Sequence, residues 1–269
     1  MNIPKKMPLA AALRKLEPPP DSALVAAAYR PLILAALPAL ARGEGAPPRS
    51  LAAVRTALWT TALGRVPAEE RAYADLIETH RARLAERDDS GRAVRWMSLP
   101  PILVTILMRI VRELGPRSCL ELGTGFGLST AHQAAALELN GAGRLMSLDI
   151  EGMVELAEPG LDDLGLGERV ELVGGLIEET LPGACEDAAP VEYVLLDADH
   201  REESTLAQLE VILPAVAPGA VIVVDDVNWE DGQMPRVWRA IAAHERVAAS
   251  TQLYRLGIAI VDEGAEPVR

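Results

Sequence analysis

The chain has 269 residues, 49% hydrophobic and 24% charged, a composition of globular rather than disordered or fibrous proteins. At this length roughly 70–75% of the unfolded surface can be buried, so a core forms without disulfide or metal staples. A formal net charge of −13 argues against nucleic acid or an anionic membrane as partner, since both draw on positive surface.

The charge is unevenly placed. Residues 1–95 carry 15 basic and 10 acidic side chains, whereas 96–269 carry 11 and 29, so two differently built segments are expected. Arg14 and Lys15 interrupt the first short apolar stretch, which makes a poor secretory signal. Ala23–Leu40 is apolar but holds Arg30, Pro31 and Pro38, and it reads as a broken, protein-buried helix rather than a span. A soluble, cytoplasmic protein is expected. Further helices follow between Pro18–Pro20, Gly43–Pro48, Gly64 and Pro67, with Ser50 as N-cap of Leu51–Leu63 and Pro67 at the first position of the next. Tyr73, Leu76, Ile77 and Leu84 share one face of that helix. This segment shows no chemistry and is expected to be a helical cap, an oligomerisation surface or a substrate lid.

From Pro100 strands alternate with helices, the pattern of a parallel sheet covered on both faces. The helix 101–114 ends at Gly115-Pro116, and Ser118–Leu122 is a short strand in which Cys119 reads as core filler. Further strands are expected at Arg144–Leu148, Val170–Val173, Val191–Leu196 and Ala220–Val224. Between them lie helices at 128–139, 153–164 (interrupted by Pro159-Gly160), 204–213 and 235–244. The end, Thr251–Leu256 and Ile258–Val261 around Gly257, reads as an antiparallel hairpin. The fold expected is α/β, a Rossmann-like, doubly wound, mostly parallel seven-stranded sheet with that hairpin, preceded by α-helices.

The first strand runs into Gly123-Thr124-Gly125-Phe126-Gly127-Leu128-Ser129. Glycines let a ligand approach the backbone, and the following helix N-terminus offers unpaired N–H groups. The spacing departs from the dinucleotide fingerprint, which wants glycine where Leu128 stands. Asp149 ends the second strand twenty-two residues beyond Gly127, where a carboxylate accepts both hydroxyls of a ribose. Loop and acid together point to nucleoside binding. Glu121, a carboxylate ending a buried strand, needs a partner, and an ammonium group is the natural one.

These residues and the order of elements resemble the class I S-adenosylmethionine-dependent methyltransferases, most closely the catechol and caffeoyl-coenzyme A type O-methyltransferases, over about residues 96–262. The resemblance implies S-adenosylmethionine as cofactor, with Glu121 and Ser129 holding its methionine part and Gly123, Thr124, Gly125 and Gly127 lining it. It further implies Asp149 at the ribose, Gly174, Gly175 and Leu176 near the adenine, and Ile150 and Asp197 among the cofactor-binding residues. Related enzymes are often dimers, so a homodimer is expected.

Asp197-Ala198-Asp199-His200 closes the fourth strand and Asp225-Asp226-Val227-Asn228-Trp229 the fifth. In a parallel sheet both ends open onto one crevice, where close carboxylates need protons or a cation. All-oxygen ligation suits magnesium, calcium or manganese. In the cation-dependent relatives a D-A-D-K stretch and a D-N pair supply the metal ligands, so the resemblance assigns a divalent cation to Asp197, Asp225 and Asp226, and an acceptor pocket to Trp229. Here Asp226 stands for the usual Asn, and His200 for the usual Lys. An imidazole, with its ordinary pKa of ~6.5, suits a proton acceptor at neutral pH, so His200 and Asp197 are the catalytic candidates. The plainer alternatives are a solvated turn for Asp225-Asp226 and a helix-capping box for Asp199 with Glu202; Asp199 is otherwise a substrate contact. The expected reaction is methyl transfer to a hydroxyl of a small, aromatic acceptor. The alternatives are a metal-independent enzyme with His200 as base and an inert cofactor-binding partner protein.

Overall fold

The computed structural model describes residues 22–40, 48–86, 93–94, 97–229 and 232–262. The Pro18–Pro20 punctuation, most of the Gly43–Pro48 linker, and Glu230 and Asp231 beside Trp229 lie outside the described residues.

Three helices come first: α1 (Ser22–Leu40), α2 (Pro48–Ala62) and α3 (Ala68–Ala85). The α/β part runs α4 (Pro101–Leu114), β1 (Ser118–Leu122), α5 (Leu128–Asn140), β2 (Arg144–Asp149), α6 (Glu151–Asp163), β3 (Val170–Gly174), α7 (Ile177–Ala188) and β4 (Val191–Leu196). It continues with α8 (Glu202–Ile212), β5 (Val216–Val224), α9 (Gln233–Ala242), β6 (Val247–Leu253) and β7 (Leu256–Val261). The strands form one sheet in the order β3-β2-β1-β4-β5-β7-β6, in which β7 pairs antiparallel with both β5 and β6. The expected Rossmann-like sheet with its closing hairpin is the fold observed.

Period-2 alternation sends neighbouring residues of each strand into different cores. Cys119, Tyr193, Leu195, Val221 and Val223 face one core, built with α1 to α5. Leu120, Leu122, Val194, Leu196, Ile222 and Val224 face the other, under α7, α8 and α9. The N-terminal helices are therefore part of a sheet-covering layer: Tyr29, Ile33, Val54 and Leu58 share a cluster with Leu103 and Ile106 of α4. Thr251 of β6 donates to the Ala36 carbonyl at 2.7 Å, and Ser50 to the Gly219 carbonyl at 2.5 Å.

Several local expectations are corrected. Ser50 lies inside α2, which begins at Pro48, so its hydroxyl ties helix to sheet instead of capping. Pro67 is the N-cap residue of α3 rather than its first helical residue. The segment expected to break runs as one helix, with Pro31 and Pro38 inside it, and α6 likewise continues through Pro159. Of the apolar α3 face, Ile77 and Leu84 are buried while Leu76 is exposed. Gly257 is not the hairpin turn. It lies inside β7, where a side chain would meet the ring of Trp238, its nearest atom at 2.4 Å, and the turn is Tyr254-Arg255. Among the described residues no helix is long and apolar enough to cross a membrane.

Candidate functional site

The chain leaves β1 for β2 on one side and returns to β4 on the other, so the carboxyl ends of β1 and β4 border the crevice where open α/β sheets bind ligands. Gly123 sits at that reversal with φ +99°, and a Cβ there would lie 2.2 Å from the Asp197 carbonyl oxygen. Only glycine lets the two strand ends meet this closely. Gly127, at φ +73°, opens α5.

Asp149 lies beside this loop. Its Oδ2 accepts the Gly125 N–H at 2.8 Å and its Oδ1 the Ile150 N–H at 2.8 Å. A carboxylate has about four acceptor sites, so it still has lone pairs for a ribose diol. Gly175 donates its N–H to the Asp149 carbonyl at 3.0 Å, which brings the ends of β2 and β3 together. A side chain at Gly174 would strike the Glu151 carboxylate. The residues just beyond, Ile150 and Leu176, are 53% and 55% exposed, an apolar surface flanking the paired glycines.

Glu121 is held by the protein's own donors. It is fully buried, and its partners within the protein are neutral donors: Thr130 Oγ1 at 2.6 Å and Ser147 Oγ at 2.7 Å on Oε2, and Gln133 Nε2 at 2.7 Å on Oε1. Thr124 Oγ1 lies 2.7 Å from Ser147 Oγ, and because the serine proton goes to Glu121, the threonine is the donor. Burial pushes the Glu121 carboxyl above its usual range, opposed by the hydrogen bonds from Thr130, Ser129, Ser147 and Gln133. Glu121 thus knots β1, β2, α5 and the glycine loop together. Sequence reading missed Thr130, Gln133 and Ser147. Their signal was a serine within the apolar run of β2 and two polar residues, three apart, in a helix otherwise rich in alanine.

Asp197, Asp225, Asp226 and His200 do come together. Asp225 and Asp226 are buried, which rules out the solvated turn. The group that neutralises them is Arg255, which sequence reading had placed in a strand. From the β6–β7 turn its Nε donates to Asp225 Oδ1 at 2.7 Å, its Nη2 pairs with Asp225 Oδ2, and Nη2 lies 2.9 Å from Asp226 Oδ1. Burial works against the charge of Arg255, but Asp225 and Asp226 outweigh it and hold the guanidinium protonated beyond its ordinary range. Asp197 is pushed well above the usual carboxylate range, by burial first and then by the charge of Asp225; Arg255 pulls the other way.

This donor set does not fit a divalent cation. Both oxygens of Asp225 and one of Asp226 face the guanidinium, and no group of three or more His, Cys, Asp or Glu among the described residues is placed to hold a metal. His200 Nε2 lies 3.7 Å from Asp226 Oδ2, and its ring stacks on Trp229 with centroids 6.1 Å apart at 22°. Trp229, at 38% exposure, presents an aromatic face at the mouth of the crevice.

The capping box does not form. The N-cap of α8 is Arg201, with no side-chain cap, while Asp199 binds Arg201 (2.7 and 2.9 Å) and Ser204 (2.6 Å). The Arg201 bonds hold the Asp199 carboxyl below its ordinary range. Glu202 instead pairs with Arg236 of α9 at 2.6 Å.

A doubly wound sheet with a glycine loop at the reversal point and an acid closing its second strand is the arrangement in which α/β proteins hold ligands at the carboxyl ends of their strands. Residues 120–227 match a family model described as a methyltransferase domain. A catechol O-methyltransferase from Mycobacterium tuberculosis is 35% identical over 135 residues, which cover 48% of this chain and 59% of its own length. A catechol O-methyltransferase from Niastella koreensis is 31% identical over 133 residues, covering 49% and 58%. The chain thus spans less than two thirds of the length of these relatives. The fold is that of an O-methyltransferase from Bacillus cereus solved in complex with SAH, with a TM-score of 0.57 over 77% of this chain and 96% of that one, at 23% identity.

Proposed function

We propose that the protein transfers the methyl group of S-adenosylmethionine to a hydroxyl of a small aromatic acceptor. The observation that carries this reading is Asp149, held by the Gly125 and Ile150 amides beside the exposed Ile150 and Leu176. A diol acceptor and an apolar strip at neighbouring strand ends suit an adenine nucleoside. The relatives named as catechol O-methyltransferases support the acceptor class. The oxygen–carbon bond forms as the carbon–sulfur bond breaks, and the electron pair returns to sulfur, giving S-adenosylhomocysteine. His200 takes the hydroxyl proton on Nε2 and passes it to solvent, while Trp229 flanks the acceptor ring. Asp226, 3.7 Å from that nitrogen, stabilises the imidazolium.

Calorimetric titration tests the cofactor: S-adenosylhomocysteine binds and NAD does not. Asp149→Ala is expected to weaken that binding at least tenfold, about 1.4 kcal/mol. A catechol methylation assay tests the acceptor. Binding of S-adenosylhomocysteine without turnover of any hydroxylated aromatic would reduce the protein to a cofactor-binding partner.

A further inference from the structure

A metal-assisted acceptor site holds a positive charge among carboxylates. In this chain that position is filled by a side chain. Arg255 lies on the two-residue turn between β6 and β7, and the carboxyl end of β5 is its neighbour because β7 pairs with β5. The turn is fixed at both backbone and side chain. Val227 donates its N–H to the Arg255 carbonyl at 2.9 Å, while the guanidinium forks over Asp225 and reaches Asp226. Asp226 adopts φ +53°, an uncommon conformation for a residue with a side chain, where its carboxylate meets Arg255 on one oxygen and His200 on the other. The Arg255 side chain is 12% exposed, and the carboxylates of Asp225 and Asp226 are 0% and 4% exposed. A guanidinium matches a carboxylate in two parallel hydrogen bonds, which a mobile counter-ion cannot do.

We propose that Arg255 is the resident cation of the acceptor site: it occupies the place between Asp225 and Asp226 that the family resemblance assigns to a divalent ion, excludes that ion, and holds Asp226 against His200. Arg255 is therefore a positioning residue. This inference rests on the proposed methyl-transfer reading, but it is tested separately from it.

The test uses the full chain freed of metal with EDTA, with manganese as the probe. Free Mn2+ is followed by electron paramagnetic resonance, and S-adenosylhomocysteine binding is measured in parallel. Wild type is expected to bind no Mn2+ at the cluster at millimolar concentration, and methyl transfer is expected to be unchanged within about twofold by EDTA or by added magnesium. Arg255→Ala leaves three carboxylates without their cation, so one Mn2+ per chain is expected to bind on the order of tenfold tighter or more. That binding is expected to disappear in Arg255→Ala with Asp197→Ala. Should the alanine variant fail to fold, Arg255→Gln, which keeps most of the volume and a neutral NH2 donor group, takes its place. The wild-type arm also stands by itself. Stoichiometric Mn2+ binding to wild type that is lost on Asp197→Ala would overturn the proposal. So would a folded Arg255 variant, confirmed by its cofactor affinity, that gains no metal. Failure of S-adenosylhomocysteine to bind wild type would overturn the methyl-transfer reading and leave the metal result standing.

Discussion

Glu121 is surrounded by one amide and a set of hydroxyls, and its value lies in how many elements those donors come from. Replacing it with Gln keeps the shape but puts an N–H2 where Thr130 and Ser147, or Gln133, need an acceptor. A buried donor left without a partner costs about 1–3 kcal/mol. Glu121→Gln is expected to lower the unfolding free energy from urea titration by that amount and to loosen the glycine loop, read as weaker S-adenosylhomocysteine binding. An unchanged cofactor affinity would confine Glu121 to stability. His132 makes a second residue-scale prediction. It is fully buried, and its Nδ1 donates to the Leu128 carbonyl at 2.8 Å, so Nε2 carries the lone pair and has no hydrogen-bond partner. Burial pushes its pKa down to about 3. An unfolded histidine titrates near ~6.5, so the folded state binds fewer protons between these values. The stability that the neutral ring contributes is present above ~6.5 and is lost as pH falls toward 3. Between pH 7 and pH 5 this amounts to roughly 2 kcal/mol. His132→Leu should flatten the change in urea midpoint over that range, and an equally steep dependence in the variant would refute the assignment.

The helices are joined by a buried charge network. Arg109 of α4 reaches Glu70 of α3 at 2.6 Å, Glu113 at 2.5 Å and Thr60 of α2 at 3.0 Å. Burial nonetheless raises the Glu70 carboxyl above its usual range despite Arg109, so the pair is held at an energetic cost. Breaking such a pair from one side typically costs about 3–5 kcal/mol, whereas replacing both partners by apolar groups is close to neutral. Glu70→Ala is therefore expected to destabilise by that amount, and Glu70→Leu with Arg109→Met to restore most of it, measured by denaturant unfolding. A loss below about 1 kcal/mol in the single variant would make this an ordinary surface pair. The same scale explains what was legible in the glycine loop. A strand, a turn and a helix start lie within fifteen residues, so local chemistry specifies them. The Tyr254-Arg255 turn was not legible in this way. Gly257 attracted the turn assignment by its residue type, but its glycine answers to the Trp238 ring packed against it from α9.

At the scale of the molecule, α1, α2 and α3 complete a core that the sheet cannot close alone. Leu103, Ile106 and Ile110 of α4 are fully buried in the same cluster as Tyr29, Val54 and Ile77. A chain starting at residue 96 would expose this apolar face. It is expected to bind a hydrophobic dye and to lose cooperative unfolding, while a stable, soluble fragment that binds S-adenosylhomocysteine would show the helices to be dispensable. Period-2 and period-3.6 patterns, the glycine spacing and the acids at strand ends are local properties, so the sequence by itself determined the sheet, the presence of a closing hairpin, and the place of Asp149 at the end of the second strand. What neutralises Asp225 and Asp226 was decided only by tertiary structure. Arg255 lies about thirty residues from them along the chain, and it becomes their counter-ion because antiparallel pairing of β7 with β5 brings the hairpin turn to the end of the sheet where the carboxylates are buried.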